Sequence, residues 1–441
     1  MTQAPARNRT AAPPPADVLP ALHESWLPRD HPLHRPRHGR RQTFALICAA
    51  IFFAVPLVSL MLGVRPDQFE NRRLADFPAA SSGWQFWPGL SPWANDHLVF
   101  RKSAVTLADA VSRGLFGEPP PLGEQQAPAQ VDPGGPISVR PPRREENNIV
   151  VPQVIEGKDG WMYMGDDVVT RCQQATSLES TMLQLRRLRD GVEASGRRFV
   201  LVIAPDKSTV VPEYLPDSFV GQDCTRRVTA ELWRRLAAED FVLDLRGDLR
   251  TLGAQLGHPV YPPLDAHWGD EGGLIMARRL AEWVQPGVTS GWVIAPGDSW
   301  RVLGDLPPLI GRSGEIEGRH YAVKPGGDAD QTRDVGIDFS NPLHLNTAHG
   351  PGTTSDKVGY LGDSFTIRSL RYLAAAFSDI TILHYRSSKD DNGEAAGKML
   401  ADNSVVAVEL VERTVAAGNS TMLIPSVVDG IVSELSHRPL R

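Results

Sequence analysis

The sequence predicts an α/β fold: a parallel sheet flanked by helices, held behind one N-terminal transmembrane helix. Three observations predict it. An uncharged run over residues 42–64 is long enough to cross a bilayer. Short apolar runs alternate with amphipathic segments from about residue 177 onward. The chain, 441 residues and 41% hydrophobic, is also long enough to bury a large core. The composition excludes other classes. It is too apolar for a wholly disordered chain and, with 22% charged residues, too polar for a multispanning one. A formal net charge of −6 gives no footprint for nucleic acid, and three cysteines cannot build a disulfide framework.

Residues 1–41 hold seven arginines against three acids, with many Pro and His and no apolar periodicity. They read as a disordered tail. Within the uncharged run, the 21 residues from Phe44 to Val64 would span roughly 30 Å as a helix, which is the hydrocarbon thickness. Pro56 is tolerable in a membrane helix. A cleaved signal peptide is the alternative, but Ser59-Leu-Met-Leu-Gly-Val64 offers no convincing small-x-small site. Arg35, Arg37, Arg40 and Arg41 precede the span, so the N-terminus should stay cytoplasmic and the rest extracytoplasmic. The expected localisation is therefore the cell membrane, single-pass. Residues 65–441 then carry 39 basic and 49 acidic residues, a net −10. Cys48 falls in the span, which leaves Cys172 and Cys224 outside as a pair that an oxidising compartment permits to bridge.

Residues 65–145 read as a juxtamembrane segment. It has a Trp-rich stretch (Trp84, Trp87, Trp93), a helix near 96–115, and a Pro-rich loop over 118–145 with eight prolines. Residues 146–441 read as the α/β domain. Ser177 caps a helix with an apolar stripe at Leu178, Met182, Leu185, Leu188 and Val192. Phe199-Val-Leu-Val-Ile-Ala204 is a buried strand of the parallel type. A helix over 226–238 follows, then a strand at Phe241-Val-Leu-Asp-Leu245 and a helix over 271–284. Residues 286–355, rich in Gly and Pro, read as an insertion. The order then resumes with strands at 358–361, 380–383 and 405–411 and a helix over 366–377.

Two segments could carry chemistry. In Gly362-Asp363-Ser364-Phe365, the serine falls where a strand gives way to a helix, and its N–H could serve a developing oxyanion. In Asp265-Ala-His267-Trp268, placed at a strand-to-helix junction, two side chains two residues apart would point the same way if extended. An Asp can hold the His tautomer while the other ring nitrogen takes a proton from a serine, which is too weak an acid to ionise unaided. No second His or Cys lies at ligand spacing, so no metal and no cofactor are expected.

Further segments stand in one order with these. They are Glu70-Asn71-Arg72, Gly157-Lys-Asp-Gly-Trp161-Met-Tyr163, Ala204-Pro205-Asp-Lys207 with Pro212-Glu-Tyr-Leu-Pro216, Asp244-Leu-Arg246, Gly304-Asp-Leu306, and Val405 to Glu412-Arg413. The series resembles the alginate O-acetyltransferase family, periplasmic and membrane-anchored members of the SGNH hydrolase-like superfamily, over most of residues 65–415. The resemblance implies an SGNH hydrolase-like fold and an acyl-transfer enzyme. Ser364 would be the nucleophile, His267 the base and then acid, and Asp265 the orienter. Gly362 and Arg413 are candidates for the oxyanion or substrate, with a structural Glu412–Arg413 ion pair as the alternative. Lys207 and Glu213 read as structural, and Trp161 as core. Ala266 and Gly269 depart from the family's Asp-Thr-His-Trp-Asn. The resemblance also implies a polysaccharide acceptor and a membrane-bound O-acyltransferase partner as acetyl donor. An acetyl esterase and a non-enzymatic polysaccharide-binding scaffold are the competing readings.

Overall fold

The computed structural model describes residues 26–28, 30–31, 40–64, 77–79, 83, 86–97, 99–116, 152–168 and 170–440. Most of the tail, the Glu70-Asn71-Arg72 motif, Trp84 and the Pro-rich stretch lie outside these residues. The described residues divide into two compact units, parted near residue 101.

In the first unit, α1 (Arg40–Met61) contains Pro56, and Thr43–Met61 within it is long and apolar enough to cross a membrane. A second helix, α2 (Phe86–Asp96), is not expected from the sequence. Phe77 meets Trp93 edge-to-face at 5.0 Å, beside this helix.

The second unit opens with α3 (Arg101–Phe116), five residues later than the expected start, and a small antiparallel pair, β1 (Val154–Glu156) and β2 (Met162–Met164). Next come α4 (Leu178–Ala194), β3 (Arg198–Ala204), the short α5 (Lys207–Val210), α6 (Gln222–Leu236) and β4 (Val242–Asp244). Then α7 (Arg246–Leu256) and α8 (Asp270–Val284) lead into a hairpin of β5 (Val293–Leu303) and β6 (Glu315–Lys324). The chain finishes with β7 (Leu343–Asn346), β8 (Thr354–Gly362), α9 (Leu370–Ala376), β9 (Phe377–His384), α10 (Glu394–Leu400), β10 (Val405–Val411), α11 (Glu412–Ala417) and α12 (Pro425–His437).

The main sheet has six strands in the order β4-β3-β10-β8-β9-β7. Five run parallel, and β7 pairs antiparallel with β9 at the edge. The sheet is therefore mixed, which corrects the all-parallel expectation. The cause lies in residues 286–355: they are not wholly an insertion, because their end turns back as β7 and adds an edge strand. Expected strands at 199–204, 358–361, 380–383 and 405–411 all fall inside β3, β8, β9 and β10.

Period-2 alternation sorts the core into two layers. Phe199, Leu201 and Ile203 of β3 and Val406, Val408 and Leu410 of β10 face one layer, with α4 and α12. Val200, Val202 and Ala204 and Val405, Ala407 and Val411 face the other, with α8 and α9. Helices thus cover both faces, as buried parallel strands require. The stripe Leu178, Met182, Leu185, Leu188 and Val192 of α4 is buried throughout. Ser177 caps that helix, its Oγ accepting the Ser180 N–H at 3.2 Å.

Candidate active site

The carboxyl ends of β3 and β8 lie on one edge of the sheet, because both run parallel to β10 between them. Ser364 follows β8 with one residue between and opens a short 3-10 turn, Ser364–Ser369. Asp363 fixes this turn. Its carboxylate accepts the Phe365 N–H at 2.9 Å and, from β10, the Val411 N–H at 3.1 Å. Gly362 lies tight beneath it: a Cβ there would fall on Thr366 Oγ1 and 2.6 Å from the Tyr360 ring. Under the turn, Glu409 of β10 accepts from Tyr360 at 2.8 Å and from Thr366. Burial, with the nearby Asp363 charge, pushes the Glu409 carboxyl well above its ordinary range.

Asp265 and His267 do not stand at a strand-to-helix junction. Residues 246–256 form α7, so the pair rides a loop between two helices, 257–269. What brings that loop to the sheet's edge is Lys207, the first residue of α5 after β3. Its ammonium is 0% exposed and donates to the carbonyls of Met162, Pro262 and Pro263 at 2.7 Å each and of Asp265 at 3.1 Å. Trp268 adds a second tie, its Nε1–H donating to the Phe365 carbonyl at 3.1 Å. Gly272 and Gly273 let α8 approach, since Cβ atoms there would strike the Trp268 side chain and the Arg368 backbone.

These ties place the three side chains in a line. Ser364 Oγ lies 2.9 Å from His267 Nε2, and His267 Nδ1 lies 2.9 Å from Asp265 Oδ1. The same Asp265 oxygen accepts the His267 backbone N–H at 2.9 Å. With the proton on Nδ1, Nε2 is free to accept the serine proton. Sequence reading missed a fourth member. Asp305, from the connection between β5 and β6, places Oδ2 3.1 Å from His267 Nδ1 and accepts the Ala266 N–H on Oδ1 at 2.9 Å. Its signal was present in Gly304-Asp-Leu306, a segment given no role.

Burial acts to lower the His267 pKa, but the hydrogen bonds and charges of Asp265 and Asp305 outweigh it and carry the group up to about 10. For Asp265, burial acts upward, and the His267 hydrogen bond and charge reverse this and hold the carboxyl below its usual range. Ligand atoms of Asp265, His267 and Asp305 fall within 4.8 Å of one another, the spacing a cation could use. Both carboxylates are at hydrogen-bond distance from Nδ1, so a proton there accounts for the geometry.

Behind the relay, Arg413 directs its guanidinium to Asp206 at 2.9 Å and Asp167 at 3.1 Å, 5.5 Å over the Phe365 ring. Glu412 pairs not with Arg413 but with Arg171, at 3.2 Å, and Arg171 also bonds Asp206. Burial and the Asp206 charge raise the Asp167 pKa. Arg413 is thus the outer member of a buried ion network. Cys172 and Cys224 are joined as a disulfide beside it, with Cα atoms 5.8 Å apart. Trp161 is buried and stacks on Tyr214 at 4.1 Å.

Residues 154–292 match the family described as SGNH hydrolase-like domain, acetyltransferase AlgX. Over this segment the chain carries the likeness to the alginate O-acetyltransferases that its motifs suggest. The matched segment holds Asp265 and His267 and ends before Asp305 and Ser364. A relative from Pseudomonas fluorescens named "Probable alginate O-acetylase AlgJ" is 29% identical over 137 residues, 30% of this chain and 33% of that one. One of the same name from Pseudomonas putida is 24% identical over 169 residues, 36% of this chain and 42% of that one. The chain spans about a third of the length of the first of these relatives. Among solved structures, the O-acetyltransferase domain of Pseudomonas putida AlgJ is 20% identical, with a TM-score of 0.43 over 64% of this chain and 99% of that one. Pseudomonas aeruginosa AlgX is 17% identical, with a TM-score of 0.41 over 63% of this chain and 66% of that one.

Proposed function

We propose that this chain is a membrane-anchored, extracytoplasmic O-acetyltransferase that passes acetyl through an acyl-serine to hydroxyls of an extracellular polysaccharide. The observation that supports it most is the line from Ser364 Oγ through His267 to Asp265, with 2.9 Å at each step. In the first half-reaction, His267 Nε2 takes the Ser364 proton as Oγ bonds to the acetyl carbon of an ester or thioester donor. The donor's carbon–oxygen or carbon–sulfur bond breaks, and its leaving group takes the proton from His267. In the second, an acceptor hydroxyl gives its proton to His267 and attacks the acyl carbon, and Ser364 Oγ leaves and regains the proton. The Ser364 N–H is the amide we assign as donor to the oxyanion.

Acetyl-CoA is cytoplasmic, so a domain beyond the membrane needs its acetyl delivered, and a membrane-bound O-acyltransferase is the partner we assign. Residues 42–64 anchor the chain in the bilayer, with the N-terminus in the cytoplasm. The disulfide suits an oxidising compartment. The test is acetyl transfer from an activated acetyl ester to oligosaccharide acceptors. Ser364→Ala should abolish transfer, and transfer at the wild-type rate in that variant overturns the reading. Hydrolysis alone at saturating acceptor would make the protein an acetyl esterase using the same relay.

A further inference from the structure

Asp305 reaches His267 from outside the loop that carries the Asp-His pair. Its carboxylate is divided between two bonds, Oδ2 to the ring at Nδ1 and Oδ1 to the Ala266 N–H. A group that only balanced charge would have no need to hold both the ring and the backbone of the preceding residue. The hairpin that supplies it is fastened to the loop and to the helices. Leu306 N–H donates to the Leu264 carbonyl at 3.3 Å. The Asp270 carboxylate at the start of α8 accepts from Trp300 Nε1 at 2.8 Å and Tyr372 at 2.7 Å, and pairs with His320 at 2.9 Å. Asp305 is thereby set with the 262–269 loop as one body.

We propose that Asp305 is a second positioning carboxylate for His267, sharing the Nδ1–H with Asp265, so that either acid alone keeps Nε2 on Ser364. The inference rests on the acyl-serine reading and deepens it. It also assigns the β5–β6 hairpin a part in the machinery. The charged and titratable groups around His267 are Asp265 from its own loop, Asp305 from the hairpin, Ser364 from the turn after β8, Arg368 of the same turn, and Lys207 of α5. Arg368 and Lys207 act through the carboxylates, on Asp265 and on both acids respectively.

The experiment uses the full chain in detergent and reads the rate of Ser364 labelling by a fluorophosphonate across pH, which needs neither donor nor acceptor. Loss of one carboxylate makes His267 easier to deprotonate. Asp305→Asn should therefore move the acid limb of the profile about one unit lower, with less than about a tenfold fall in the plateau. Asp305→Glu, which keeps the charge, should leave the limb near its wild-type place. Asp265→Asn should also retain much of the rate, whereas the double variant should fall by about 10⁴, the loss expected when a histidine has no orienting acid. An unmoved limb in Asp305→Asn, or the full loss in Asp265→Asn alone, overturns the inference. Absence of Ser364 labelling in the wild type overturns the acyl-serine reading and this inference with it.

Discussion

The Lys207 ammonium donates to the Asp265 carbonyl at 3.1 Å, and so ties the end of β3 to the loop that holds Asp265 and His267. Three more carbonyls share that ammonium, two of them in the same loop. The loop has no strand before it to set its place, and this buried cation takes over that task.

Lys207→Met keeps most of the volume and removes the donor. Four carbonyls would lose their shared partner, at about 1–3 kcal/mol for each that stays buried and unsatisfied. The variant should unfold in denaturant at least about 3 kcal/mol more easily, with slower Ser364 labelling. A loss below about 1 kcal/mol would show that the clamp does not set the loop.

The Cys172–Cys224 bridge closes a sequence separation of 52 residues. Loop-closure entropy over that length is worth about 4 kcal/mol. Denaturation with and without reductant, and of Cys172→Ser with Cys224→Ser, should show a loss of this order. Equal stability in both conditions would show that the thiols are not bridged in the folded protein.

Gly362→Ala tests whether the residue before Asp363 serves packing. Its Cβ would press on Thr366 and Tyr360, at an overpacking cost of about 1–3 kcal/mol. Stability and labelling should fall together in calorimetry and probe assays. Unchanged stability with lost labelling would instead assign Gly362 a direct part at the oxyanion.

His267 titrates in the fold at about 10, above its unfolded value of about 6.5. Its stabilising contribution is therefore full below about pH 6.5 and disappears as pH rises through about 10. The stability gap between wild type and His267→Gln should be wide at pH 6 and narrow above pH 10. A gap that widens with pH would contradict the pairing of His267 with the two acids. Only the neutral ring can accept a proton, so Ser364 labelling should climb over the same upper range.

The strands that read clearly in the sequence are those with apolar runs buried on both faces: β3, unbroken from Phe199 to Ala204, and β10, broken only by Glu409. The serine at the end of β8 was legible too, because a Gly-Asp-Ser after an apolar run marks a strand end. By contrast, α7 buries only Leu249 and so has almost no apolar stripe to reveal it. With that helix unseen, Asp265 looked as if it followed a strand. β7 spans only Leu343–Asn346, too short for alternation to show. Asp305 was hidden for another reason. A Gly-Asp-Leu at a turn looks the same whether its carboxylate faces water or a histidine, and only the hairpin's docking brings it to the ring.

The central claim is that Ser364 becomes acylated. The direct measurement is mass spectrometry of peptides from the intact protein, quenched after brief exposure to an activated acetyl ester. Acetyl should appear on the peptide holding Ser364, accumulate slowly in His267→Ala, and be absent in Ser364→Ala. Acetyl on another residue with that peptide unmodified, or equal acetylation of Ser364→Ala, would contradict it.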